Sequence, residues 1–100
     1  MNDRATAERE MPRYKCHKEV HALKIGSIDL DSTAALEEGR ETDGSAMITP
    51  AGVVGYPPFK VSYSYMRQHK PQVGGYYVVY EDGYASFSPA EAFENGYTRL

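Results

Sequence analysis

Cys16, His17 and His21 are the residues whose types first suggest chemistry, a Cys-His-x3-His run near the start of the chain. On a helix, His17 and His21 would lie one turn apart on one face and could share a zinc ion. On a strand, four residues span about 13 Å at ~3.3 Å each, too far for one ion. Tyr14 and Val20 and the polar alternation around them favour a strand. A strand also separates Cys16 from His17, because neighbouring side chains point to opposite faces. A thiolate nucleophile needs a base beside it, so this run argues against a Cys–His pair. Cys16 reads as a small buried hydrophobe. No metal and no cofactor are expected.

The paired carboxylates, Glu37-Glu38 and Glu81-Asp82, are no better placed. The first pair falls in a polar loop and the second in a turn, where solubility and turn geometry account for them. Gly52, Gly55, Gly74 and Gly75 lack the spacing of a phosphate loop, and no Gly-Lys-Ser/Thr occurs. The chain is not expected to be an enzyme. The tyrosines are the anomaly: nine in 100 residues, with Tyr76, Tyr77, Tyr80 and Tyr84 in one short stretch. Cross-strand aromatic pairs stabilise hairpins, but tyrosine also makes contact surfaces, since it offers area with few rotors and a polar tip. Tyr77, Tyr84 and Tyr97 are the candidate binding residues.

The element that positions them is legible. Tyr76–Glu81 and Tyr84–Ser88 flank Asp82-Gly83, a strong hairpin signal. A two-residue type I′ turn would pair Tyr80 with Ala85 and Val78 with Phe87. That places Tyr76, Val78, Tyr80, Ala85 and Phe87 on a core face, and Tyr77, Val79, Tyr84, Ser86 and Ser88 on the other. Ser88-Pro89-Ala90-Glu91 then reads as a capping box, serine at the N-cap and proline in the first helical position. The short helix that follows carries Phe93 and ends at Asn95-Gly96, expected as a left-handed C-cap. Ser62 is expected to cap a second helix that Pro71 stops.

Upstream, residues 14–30 read as extended, with apolar parity switching at Ala22–Leu23 and again at Gly26. Bulges at those two points would reconcile the switches. Residues 31–45 read as a variable acidic loop, within which Asp31 or Ser32 could cap a short helix closed by Gly39. Strands are expected at 46–49, ended by Pro50, and at 59–61. Residues 1–12 read as a disordered arm before a single domain at 13–100, because the first ten hold too little apolar surface to order themselves. Met11 is a candidate for the true start. The fold class is α+β: a small antiparallel sheet with two short helices packed on it, an SH3-like, partly closed barrel being one arrangement. The expected core is Val20, Ala22, Leu23, Ile25, Ile28, Ile48, Phe59, Val61, Met66, Val78, Tyr80, Phe87 and Phe93.

Two stretches carry a resemblance. Tyr14-Lys15-Cys16-His17-Lys18 with Val20 and Ala22 forms the first. His69-Lys70-Pro71, the run from Gly74 to Tyr84, Ser86-Phe87-Ser88-Pro89, Phe93 and Gly96-Tyr97 form the second. Together they resemble small proteins encoded by tailed bacteriophages and prophages. That resemblance implies a prophage origin and the cytosol of a bacterial host, and it brings no catalytic residue with it.

Composition narrows the remaining readings. Eleven Lys and Arg against fourteen Asp and Glu leave a net charge of -3, which argues against nucleic-acid partners. No apolar run reaches the ~18 residues of a membrane span. One cysteine excludes an internal disulfide. The reading is a non-enzymatic prophage accessory protein that acts by binding a host or phage protein, or a second copy of itself. The alternative is single-stranded nucleic-acid binding through the tyrosines, with Arg13, Lys15, Lys18 and Lys24 on phosphates.

Overall fold

The computed structural model describes residues 11–15 and 19–99. Among the described residues seven strands and three helices follow one another: β1 (Arg13–Lys15), β2 (Glu19–Leu30), α1 (Asp31–Glu38), β3 (Ala46–Ala51), β4 (Phe59–Val61), α2 (Tyr63–His69), β5 (Tyr76–Val79), β6 (Ala85–Ser88), α3 (Ala90–Gly96) and β7 (Thr98–Arg99). All pairings are antiparallel. The architecture is α+β, as the sequence implies. The long β2 is the spine, bonded to β1, β3 and β5. The path β4-β3-β2-β1-β7 forms the sheet, and β5 with β6 branches from β2. Among the described residues β4 and β6 do not pair with each other, so the sheet does not close into a barrel.

Two cores lie on opposite faces of this spine. Val20, Ala22, Tyr76, Val78 and Phe93 form one, with Tyr14, Tyr80, Ala90 and Tyr97 packed around it. Ile25, Ala46, Ile48, Val61 and Tyr65 form the other, joined by Phe59, Met66, Tyr77 and Phe87. This explains the parity switch at Ala22–Leu23 without the expected bulge. The β2–β5 register runs unbroken from His21↔Val79 to Lys24↔Tyr76. Ala22 and Leu23 are both buried, on opposite faces of a strand covered on both sides.

The second irregularity is where it was expected. The β2–β3 register shifts between Ile25 and Ser27, at Gly26. Pro50 does not end β3 but pairs with Ile25 across this shift, and the strand continues to Ala51. Its missing N–H is harmless there. The Ile25 N–H donates to the Gly75 carbonyl at 2.8 Å, and the Ile25 carbonyl accepts from the Gly74 N–H at 2.8 Å. Gly75 must stay a glycine, since a Cβ there would overlap the Phe87 ring.

Several local expectations need correction. Of the two readings left open for residues 31–38, the helix closed by Gly39 is the one that forms, although neither Asp31 nor Ser32 caps it. Gly39, at φ +71, closes α1 as a left-handed cap, and no side chain caps its N-terminus. The rest of the segment is tied down by charge. Arg40 donates twice to the Asp31 carboxylate, at 2.9 and 3.1 Å, and once to Glu38 at 2.7 Å. The capping box at Ser88 does not form. Ser88 is the last residue of β6, paired with Tyr76, and Pro89 caps α3 without a side-chain bond. Gly96 closes α3 inside the helix and Tyr97 follows in extended conformation, so no left-handed C-cap occurs. Ser62 does cap α2, accepting the Tyr65 N–H at 3.1 Å. Met11 and Pro12, expected in the arm, are buried, and the Pro12 carbonyl accepts from Ala22. Residues 1–10 lie outside the described residues.

Candidate contact surface

The tip of the β5–β6 hairpin sets which residues of β6 share a face with those of β5. Its loop is three residues long. The Tyr80 N–H donates to the Tyr84 carbonyl at 2.9 Å, and the Gly83 N–H to the Tyr80 carbonyl at 2.8 Å. Gly83 takes φ +89, the left-handed residue of a turn followed by a bulge. Tyr77 therefore faces Phe87, and Val79 faces Ala85. The two-residue turn read from Asp82-Gly83 places this register one residue off, and one residue exchanges the faces of a whole strand.

The three candidate residues are placed unequally. Tyr77 turns to the interior: its ring centroid is 4.7 Å from Phe59 and 5.5 Å from Tyr65. Burial pushes its phenol upward from the ordinary value, helped by Tyr56. Tyr84 and Tyr97, by contrast, line one open hollow of about 540 Å³ together with Tyr80, Glu81 and Asp82. Tyr84 is 48% exposed. Its ring is nearly parallel to Tyr80, with centroids 6.2 Å apart and planes at 22°. Its hydroxyl lies 3.1 Å from Gln68 Nε2, which donates to it, and 3.2 Å from His69 Nε2.

Tyr97 is held from behind. Its ring stacks on Phe93, centroids 4.4 Å apart, and Phe93 stacks in turn on Tyr76 at 4.1 Å. Tyr14 meets Phe93 edge-on at 4.7 Å. The short β7 then returns the chain beside β1. Two turns of helix would not persist alone; the buried Phe93 supplies the docking that the sequence requires of α3. The Tyr76 hydroxyl donates to Glu94 at 2.9 Å, and Lys24 reaches the same carboxylate at 3.3 Å. Burial first, and then the Glu94 partner, push the Tyr76 phenol up to about 12. On the other face, the Tyr65 hydroxyl donates to the Ser86 carbonyl at 2.8 Å, and burial raises that phenol too.

Tyr80, Glu81 and Asp82 are the hollow residues that sequence reading did not assign to a binding site. The signal available was their position at the loop between the paired strands. Asp82 Oδ1 accepts the Tyr84 N–H at 2.9 Å, which fixes that carboxylate against the turn.

Among the described residues, the other chemical candidates do not assemble. Cys16 and His17 lie outside the described residues, as does Lys18. His21 is in β2 opposite Arg13 and Val79, and its Nε2 finds no partner among the described residues. No group of three His, Cys, Asp or Glu able to hold a metal occurs among the described residues. Glu38 is engaged by Arg40. Among the proposed phosphate contacts, Arg13 pairs with Glu19 and Lys24 with Glu94. No helix among the described residues is long and apolar enough to cross a membrane.

No family model matches the chain, and no curated protein does. Among solved structures, the chain is similar to the monomeric form of the phage L decoration protein, determined in solution by NMR. The two are 30% identical with a TM-score of 0.60, over 88% of this chain. The chain spans 58% of that protein's length. A likeness to a phage protein accords with the phage resemblance of the two sequence stretches.

Proposed function

We propose that this chain is a decoration-type module, which adds itself to the surface of a phage particle by protein–protein contact and catalyses nothing. The observation that carries the reading is the likeness to the phage L decoration protein, at 30% identity over 88% of the chain. The hollow at the β5–β6 tip is the contact surface that suits it best. It places two exposed or half-exposed tyrosines, Tyr84 and Tyr97, on a rigid support, the kind of residue enriched where proteins meet. Made in the bacterial cytosol, the protein would meet its partner there as particles assemble. The nucleic-acid alternative gains nothing from the geometry, because Arg13 and Lys24, two of its phosphate contacts, are already paired with Glu19 and Glu94.

The test is co-sedimentation with particles of the phage that encodes the chain, assembled in cells from which the gene is deleted. Purified protein should be recovered with the particles, saturating at a fixed number of copies per particle. Particles recovered bare at every concentration tried would overturn the reading.

A further inference from the structure

No charged residue occurs between Asp43 and Lys60, the longest such run in the chain, and the loop from β3 to β4 lies within it. At the tip of that loop the Tyr56 N–H donates to the Val53 carbonyl at 3.4 Å, closing a turn whose third residue, Gly55, takes φ +82. The turn presents Val54 to solvent. Its side chain is fully exposed, more than any other large hydrophobic among the described residues. Tyr56 braces the tip from behind, edge-on to Phe59 with centroids 6.3 Å apart.

The other end of β3 borders a groove of about 370 Å³ between the end of β2 and α1. Ile28, Leu30 and Ala34 give it apolar lining, and Asp29, Thr33 and Glu37 give it polar lining. Leu30 is half exposed there. We infer that the Val53–Tyr56 tip of one copy seats in this groove of a second copy. Tip and groove match in two ways. Val54 and the partly exposed Val53 bring apolar surface to Leu30 and Ile28. The turn's own bond uses the Tyr56 N–H, so the N–H groups of its central residues, Val54 and Gly55, are left to point outward. They are placed to donate to Asp29 and Glu37, carboxylates that no other described residue engages.

A chain cannot fill its own groove. The groove lies where Leu30 pairs with Ala46, the loop leaves at Ala51, and β3 between them spans about 20 Å at ~3.3 Å per residue. Other occupants of the tip fit less well. A lipid surface is held by basic and tryptophan side chains, and the tip has neither. A nucleic acid finds no cation in it. Because every copy carries both halves, the contact is head-to-tail and does not stop at two. One turn in one groove buries less than the ~1,200 Å² of a stable interface, so association is weak in solution and gains where a surface holds copies side by side.

Two variants of the full chain each remove one half. Val54→Asp puts a charge on the tip, and Thr33→Arg lays a long side chain across the groove. Both positions are exposed, so melting temperatures should hold. Over a dilution series, sedimentation of the unmodified chain should give a mass that rises with concentration and does not level at two copies. Amide NMR shifts at residues 28–37 and 52–56 should grow with it. Each variant alone should associate at least about tenfold more weakly. A mixture of the two keeps one tip and one groove, and should form pairs that grow no further. An unmodified chain that is monomeric throughout, a variant that associates as the unmodified chain does, or a mixture that stays apart would overturn the inference. So would neutral lipid vesicles that shift residues 52–56 in a chain that does not self-associate, which would assign the tip to a membrane. Particles take no part in these measurements, so the decoration reading stands or falls separately.

Discussion

Phe93 and Tyr97 stack with their planes 14° apart, so the buried end of one cluster is also the back wall of the exposed hollow. Stability and contact surface share that ring pair. Phe93→Ala should cost about 3–5 kcal/mol through lost transfer energy and a cavity. Phe93→Leu keeps most of the volume and should cost less than about 1.5 kcal/mol, yet it removes the flat support of Tyr97. Thermal melts give the first numbers. Co-sedimentation of Phe93→Leu with phage particles reads the second effect, as binding weakened while the fold persists.

Tyr77 and Tyr84 should behave oppositely when cut to alanine. Tyr77 packs between Phe59 and Tyr65, so its loss should cost about 2–4 kcal/mol. Tyr84 is half exposed, and its loss should cost about 1 kcal/mol or less while particle binding falls. Denaturant melts of the pair decide this, and equal destabilisation would contradict the packing of Tyr77 in the second core.

The two candidate capping serines should separate in the same way. Ser62→Ala removes the acceptor of the Tyr65 N–H and should destabilise by ~0.5–2 kcal/mol. Ser88→Ala removes no cap bond from α3 and should stay within about 0.5 kcal/mol. Chemical denaturation of both variants is the measurement.

Stability should fall at both ends of the pH range, for different groups. The Tyr76 phenol is raised from 10.0 to about 12 by burial and Glu94. The fold therefore favours its protonated form, a contribution complete below pH 10 and lost as pH climbs through 12. Ultraviolet titration should show tyrosines ionising late, together with unfolding. Asp31 is held well below its ordinary 3.8, first by the hydrogen bonds from Arg40 and then by Thr42. Its contribution is present above that value and fades as acid protonates it. Asp31→Asn should flatten the acid limb of a stability–pH curve and leave the alkaline limb unchanged.

The elements were legible where local chemistry decides them, and the faces were not where distant chain decides them. Asp82-Gly83 marks the hairpin, but the same dipeptide serves two- and three-residue loops, and the closing bonds between Tyr80 and Tyr84 are needed to choose. Hence Ala85 and Phe87 were placed on the face of Tyr76 and Val78, whereas they share that of Tyr77; Tyr77 lies opposite Tyr76 as expected, but that face is a second core. Tyr65 and Tyr76 are buried, and nothing near them in sequence says so. Their hydroxyls are satisfied by Ser86 and Glu94, many residues away. The parity switch at Ala22 could not be told from a bulge, since a strand with core on both faces produces the same text. The Ser88 motif had the letters of a capping box, but pairing with Tyr76 holds that serine in β6.

The spine also sets an order of events in time. β2 meets β3 across the short segment of α1 and its turn, but it meets β5 only after the intervening strands and α2 have been made. Closing the longer loop costs more chain entropy, and pairings distant in sequence govern how slowly a domain folds. The β2–β3 pair should therefore gain protection from hydrogen exchange early in refolding, and the β5–β6 tip late. Residues 80–84 and 97 come together only when the last segments dock. A chain whose residues 80–97 have not yet left the ribosome has no hollow to offer, so any contact made through it waits until that stretch has been made and docked.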